Sequence, residues 1–304
     1  MFNTLAIIFP LIFVATAGYI SAARSFLTAE HLSGISRFVF YISIPAFLFV
    51  NMSQAELSKA VSLDVMLSFY LPVIGLYLLV LGFYRCRCGQ WSISAIRALG
   101  ACYSNTVLIG LPIAIQALGK HVAATVFVII TFHSALLFLL TYSFAGKEQR
   151  VTWPNIIRQL IINPVILAIA LGLLANAVNL ALPKVINEGL TLLAEPAIAG
   201  ALFVLGANLH HYQIKPGIKS ALTLTLLKLA VLPTLVYLTA TYGFALAQEQ
   251  TLLLVLLSAS PLGVNAYLVS KQLQRESATL ASTVVLSTLL SVVSFVIWLA
   301  VLSS

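Results

Sequence analysis

Asn105 and Asn265 are the residues of this chain whose type and setting could do chemistry. Each sits beside glycine and proline in a long apolar run: Ser104-Asn-Thr-Val-Leu-Ile-Gly-Leu-Pro112 in the first half, Ser258-Ala-Ser-Pro-Leu-Gly-Val-Asn265 in the second. A carboxamide offers two donors and an acceptor, and Thr106, Ser258 and Ser260 add hydroxyls nearby. Pro112 with Gly110, and Pro261 with Gly263, predict that both helices unwind, the first somewhere between Ser104 and Pro112. An opened helix presents unpaired N–H groups and a partial positive charge, which suit an anion. Asn105, Thr106, Gly110, Pro112, Ser260, Pro261, Gly263 and Asn265 are therefore the candidate binding residues: neutral donors able to hold a carboxylate without a buried arginine. The competing explanation is that these polar groups only recap the broken helices.

The elements that must position them follow from composition. The chain is 61% hydrophobic and 8% charged, with a mean hydropathy of +1.06, whereas a soluble domain carries about 25% charged residues. An all-α integral membrane protein is expected, because backbone polar groups in lipid must be satisfied within each segment. The apolar runs are too long and continuous for the alternating strands of a membrane barrel. Ten spans are read, near 4–23, 36–53, 64–84, 93–118, 122–145, 158–181, 186–208, 218–242, 250–272 and 278–302. The first has no basic residue before it and is long enough to cross, so it is read as a span and not as a cleaved leader.

Twelve of the sixteen basic residues fall in odd-numbered loops, among them Arg24, Arg37, Arg97 and Lys271. Lys59, Lys120 and Lys184 fall in even ones, and Lys228 lies within span 8. This bias places the odd loops in the cytoplasm and both termini outside. The net charge of +8 is thus a matter of topology, and no nucleic-acid partner is expected. Cys86 and Cys88 form a C-x-C pair without the further ligands a zinc site needs, so no metal is assigned.

The halves show a faint internal repeat. Pro10 and Gly18 match Pro164 and Gly172, while Ile35 and Pro45-Ala46 match Ile186 and Pro196-Ala197. Five spans per half force the second half to insert upside down. The expected architecture is a 5+5 inverted repeat, residues 1–145 and 158–304 joined by a short cytoplasmic linker at 146–157, with broken helices 4 and 9 crossing near the midplane. Interruptions at corresponding places of two such halves mark the binding site of secondary transporters.

Two charged residues lie deep in the runs. Glu195 precedes Pro196 midway along span 7, and Lys228 lies midway along span 8. An acid at that depth costs about 2.5–3.5 kcal/mol and needs a partner or a wet face. A Glu195–Lys228 ion pair is expected, structural or coupled to proton exchange at Glu195. His133, near the middle of span 5, is read as a hydrogen-bonded packing residue, with a proton relay as the alternative.

Asn105-Thr-Val-Leu-Ile-Gly-Leu-Pro112 resembles the fourth helix of the auxin efflux carrier family, and Ser260-Pro-Leu-Gly-Val-Asn-Ala-Tyr267 with Ala281-Ser-Thr-Val-Val-Leu-Ser-Thr288 resembles its ninth and tenth. That family includes plant auxin exporters and bacterial malonate or malate permeases. The resemblance implies a scaffold of helices 1, 2, 6 and 7, a mobile transport domain of helices 3–5 and 8–10, and a homodimer through the scaffold. It carries Asn105, Pro112, Pro261 and Asn265 over as site residues. The long loop of the plant members is absent here, which suits the bacterial branch and a plasma (bacterial inner) membrane location.

The function expected is secondary active transport of a small organic anion by alternating access, elevator-type, without a cofactor, ion-coupled or exchanging. Proton and sodium both stay open as coupling ions. An anion channel, or a sodium-coupled carrier of a larger amphipathic acid, is the alternative. No nucleotide-binding loop and no paired nucleophile and base are found, so no enzyme and no catalytic residue are expected.

Overall fold

The computed structural model describes residues 2–54, 62–146, 164–180, 182–211 and 217–302. The linker read at 146–157 and the first residues of span 6 lie almost entirely outside that set. The described residues form twelve helical segments. They are α1 (Phe2–Ala23), α2 (Ala29–Ser53), α3 (Leu63–Cys88), α4 (Trp91–Cys102), α5 (Thr106–Leu118) and α6 (Lys120–Ala145). Then come α7 (Pro164–Ala177), α8 (Lys184–His210), α9 (Ile218–Gly243), α10 (Gln248–Ala259), α11 (Val264–Gln272) and α12 (Ser277–Leu302). Six of these, α2, α3, α6, α8, α9 and α12, are long and apolar enough to cross a membrane. The chain is an all-helical membrane protein. The sole strand-like pairing among the described residues is an isolated antiparallel bridge, Ser104 to Leu262.

Proline is absorbed in a recurrent way. In α2, α5 and α9 a five-residue π-turn, Val39–Ser43, Thr106–Gly110 and Leu227–Val231, runs up to the residue before Pro45, Pro112 and Pro233. Each time the residue preceding proline donates back to the first residue of the π-turn: Ile44 to Val39, Leu111 to Thr106, Leu232 to Leu227. The wider turn accommodates a ring that has no N–H and would clash with the carbonyl four residues earlier. In α9 that carbonyl, on Leu229, is taken by the Ser294 hydroxyl at 2.9 Å, as required where no water can reach a freed backbone group.

Helix 4 opens at Tyr103–Asn105, at the upstream end of the stretch read from Ser104 to Pro112, and the π-turn carries the chain through Pro112 as continuous helix. One expectation is corrected. The second span starts at Ala29, not at residue 36, because Thr28 caps it. Its hydroxyl accepts the His31 N–H, and the His31 ring accepts the Thr28 N–H, a reciprocal box that satisfies two orphan donors. Arg37, read from sequence as a loop charge, is therefore a helical residue.

Glycines set the closest helix contacts. A Cβ on Gly18 would lie 2.0 Å from the Phe203 carbonyl oxygen, and one on Gly206 1.8 Å from that of Ala15, so α1 and α8 touch backbone to backbone. A Cβ on Gly172 would lie 2.7 Å from that of Met52, which brings α7 equally hard against α2. Small residues permit such approach where packing, not water exclusion, drives association. At the end of the bundle near Gly89, Arg97 makes two bonds to Glu276, 3.2 and 3.3 Å, tying α4 to the start of α12.

Candidate functional site

The two interruptions meet. Asn105 N–H donates to the Pro261 carbonyl at 2.8 Å, and Gly263 N–H to the Tyr103 carbonyl at 3.2 Å. These bonds flank Ser104 and Leu262, which face one another as a non-hydrogen-bonded antiparallel pair. In that geometry the N–H groups of the facing residues point away from the partner strand. Each must find another acceptor, because a buried orphan amide is costly. Ser104 N–H finds Nε2 of His133 in α6 at 2.9 Å, and Leu262 N–H finds the hydroxyl of Ser287 in α12 at 3.0 Å.

The half-helix ends are satisfied in the same detail. Asn105 forms a tight turn in which Thr106 N–H returns to the Ser104 carbonyl at 2.9 Å, at φ −77 and ψ 66, the geometry of an inverse γ-turn. Its side-chain oxygen accepts the Leu108 N–H at 3.3 Å and so caps α5. At the other crossing partner, α10 ends with carbonyls that have no helical donors. Ser260 Oγ bonds the Leu256 carbonyl at 3.0 Å, and the buried ammonium of Lys228 donates to the Ser258 carbonyl. A cation at the negative end of a helix is favourable on both counts.

The expected Glu195–Lys228 pair is corrected by this. Lys228 points from α9 toward the end of α10, and Glu195 lies exposed on α8. The carbonyls of a broken helix give Lys228 what a carboxylate would have given, a partner that sequence spacing cannot reveal.

A cavity of about 330 Å³ opens against the crossing. Of the eight candidate residues, Asn105, Thr106, Gly263 and Asn265 line it. Gly110, Pro112, Ser260 and Pro261 do not; they shape the crossing behind it. A Cβ on Gly110 would lie 2.8 Å from Ser260 Oγ, and one on Gly263 2.3 Å from the Tyr103 ring, so both glycines are places where no side chain fits. Asn265 Nδ2 donates to Tyr103 Oη at 3.4 Å, and Tyr103 Oη is 2.9 Å from Ser134 Oγ. The Tyr103 ring stacks on His133, centroids 5.3 Å apart.

Asn105 Nδ2 is buried and finds no hydrogen-bond partner among the described residues, as do Ser104 Oγ and His133 Nδ1. Native buried polar atoms are nearly always paired, so a concentration of exceptions calls for a reason. In Asn105 the oxygen does structural work and the amide does none, and the residue lines the cavity. Capping thus occupies one end of the side chain and leaves the other without a partner among the described residues.

The lining also holds residues that the spacing of the motifs did not single out: Tyr103, Ser134 and, from α2, Ser36, Arg37 and Tyr41. Ser134 reaches the site only through tertiary packing, whereas Tyr103 directly precedes the Ser104–Pro112 motif. Among the described residues Arg37 is the one charged residue in the lining, and none of those lining it carries a carboxylate. His133 gives its Nε2 lone pair to Ser104 and therefore serves the backbone.

Comparison with known proteins places the chain among membrane transport proteins. Residues 4–153 and 147–299 match the family model described as "Membrane transport protein". A protein of Rhizobium meliloti (strain 1021) described as "Putative malonate transporter" is 25% identical over 292 residues, spanning 93% of this chain and 90% of that one.

Proposed function

The chain belongs to the membrane transport protein family, the auxin efflux carrier family that its interrupted helices resemble, and on that premise we propose that it is a secondary carrier of a small organic carboxylate. The single observation that carries this is the Asn105 amide: a buried donor without a protein partner among the described residues, on a residue that lines a cavity whose one charged lining residue among those described is Arg37. The malonate assignment of the Rhizobium meliloti relative points to the same substrate size.

The twelve segments read as ten crossings if α4 with α5, and α10 with α11, are each one broken span. The close pairs α1–α8 and α7–α2 support an inverted repeat of 1–145 and 158–304, since Gly18 against Phe203 and Gly172 against Met52 correspond under the offsets that align the halves. Access from one side at a time fits the cavity, whose lining takes nothing from α10 and nothing from α5 beyond Leu108. A continuous pore would need both. With the odd loops cytoplasmic, the cavity faces inward and both termini lie outside the plasma membrane. An elevator-type movement of α3–α6 and α9–α12 against α1, α2, α7 and α8 completes the reading, with coupling to proton, sodium or exchange. A homodimer through the second group is part of the same reading.

The test is uptake of labelled malonate into proteoliposomes under a proton gradient, under a sodium gradient, and against internal unlabelled acid. Asn105→Asp is the informative variant. It keeps the oxygen that caps Leu108 but replaces the free donor with a negative charge. Losing a hydrogen bond to a charged ligand corresponds to roughly tenfold to hundredfold weaker binding. A folded N105D protein that still carries malonate like wild type would sink the assignment.

A further inference from the structure

The crossing supplies only uncharged donors: the Asn105 amide, the Asn265 amide, and the hydroxyls of Thr106 and Ser134. Such a set can hold one carboxylate. It cannot neutralise a second, which in a partly desolvated cavity needs a cation of its own. The same cavity of about 330 Å³ is lined on its α2 side by Arg37. Among the described residues that guanidinium makes no ion pair or hydrogen bond, and no acid shares the lining to compete for it. The Arg37 backbone is held by the helix that Thr28 caps. Ser36 and Tyr41, from the same helix, offer hydroxyls beside it.

We propose that Arg37 is the second anchor of the binding site, so that the cavity selects a short dicarboxylate, one carboxylate on the amides of the crossing and the other on Arg37. This deepens, and rests on, the carrier reading above. A guanidinium meets a carboxylate through two parallel bonds, a geometry that lysine cannot reproduce. The two anchors belong to different groups of helices, the amides to the crossing and Arg37 to α2. Only a molecule charged at both ends touches both.

The test compares malonate with malonamate, in which one carboxylate is replaced by an isosteric amide. Binding to the purified full-length protein is measured by calorimetry, and uptake separately in proteoliposomes. Wild type is expected to bind malonate at least about tenfold more tightly than malonamate, the scale of one charged contact. In Arg37→Gln that ratio collapses toward one, and Arg37→Lys recovers only part of it. The proposal is overturned if wild type binds both acids equally or neither, if R37Q keeps the ratio, or if an aromatic monocarboxylate such as indole-3-acetate binds more tightly than malonate. Selective binding without uptake would sink the carrier reading and leave the Arg37 anchor standing. Uptake that ignores the second carboxylate would do the reverse.

Discussion

His133 holds Ser104 in place: its ring accepts the Ser104 N–H at 2.9 Å on the side of the bridge away from Leu262. Ser287 does the same for Leu262 in the other half. Each interruption is thus secured by the helix that follows it, and each securing group is a side chain that could be exchanged.

His133→Ala strands a buried amide, at a cost of about 1–3 kcal/mol. Its melting temperature in detergent should fall, and transport with it. His133→Gln can present an acceptor and should restore part of both. If the histidine only positions the backbone, H133Q keeps the wild-type dependence of uptake on pH. A flattened profile in H133Q would instead make His133 a proton carrier.

Gly263→Ala would put a methyl group 2.3 Å from the Tyr103 ring. The ring must then leave its stack on His133, and such overpacking costs about 1–3 kcal/mol. A methyl group on Gly34, in α2, would meet nothing within 4 Å, so Gly34→Ala should be neutral or should stabilise by about 0.5–1 kcal/mol. Thermal unfolding of the two variants side by side checks the contrast, and equal stability would contradict it.

Lys228 and Glu195 should be energetically independent in this conformation. Lys228→Met leaves the Ser258 carbonyl without its donor and is destabilising, while Glu195→Gln alters an exposed group. In a double-mutant cycle on unfolding the coupling should stay within about 0.3–0.5 kcal/mol, the scatter of unconnected sites. A larger coupling would mean that the pair forms after all.

Much of this arrangement can be read from the chain because its signals are local. Asn105, Pro261 and Gly263 mark where helices open, and composition requires that those openings be covered. What escapes the sequence is what tertiary packing decides. Pro112 looks like a helix breaker, yet a π-turn absorbs it and the opening falls at Tyr103–Asn105. Arg37 looks like a loop charge until Thr28 lengthens its helix. Lys228 looks as if it needs an acid, and finds a helix end. In each case the missing information is the position of a backbone carbonyl or amide, which residue types do not encode.

The bridge between Tyr103–Asn105 and Pro261–Gly263 is made by main-chain atoms alone. Its grip does not depend on which side chains the two segments carry, provided that Gly263 leaves room for the ring above it. A lineage built on this plan can therefore exchange Asn105, Thr106 or Asn265 for other residues and keep the joint. On the carrier reading proposed above, selectivity would drift from one acid to another while the joint is inherited whole.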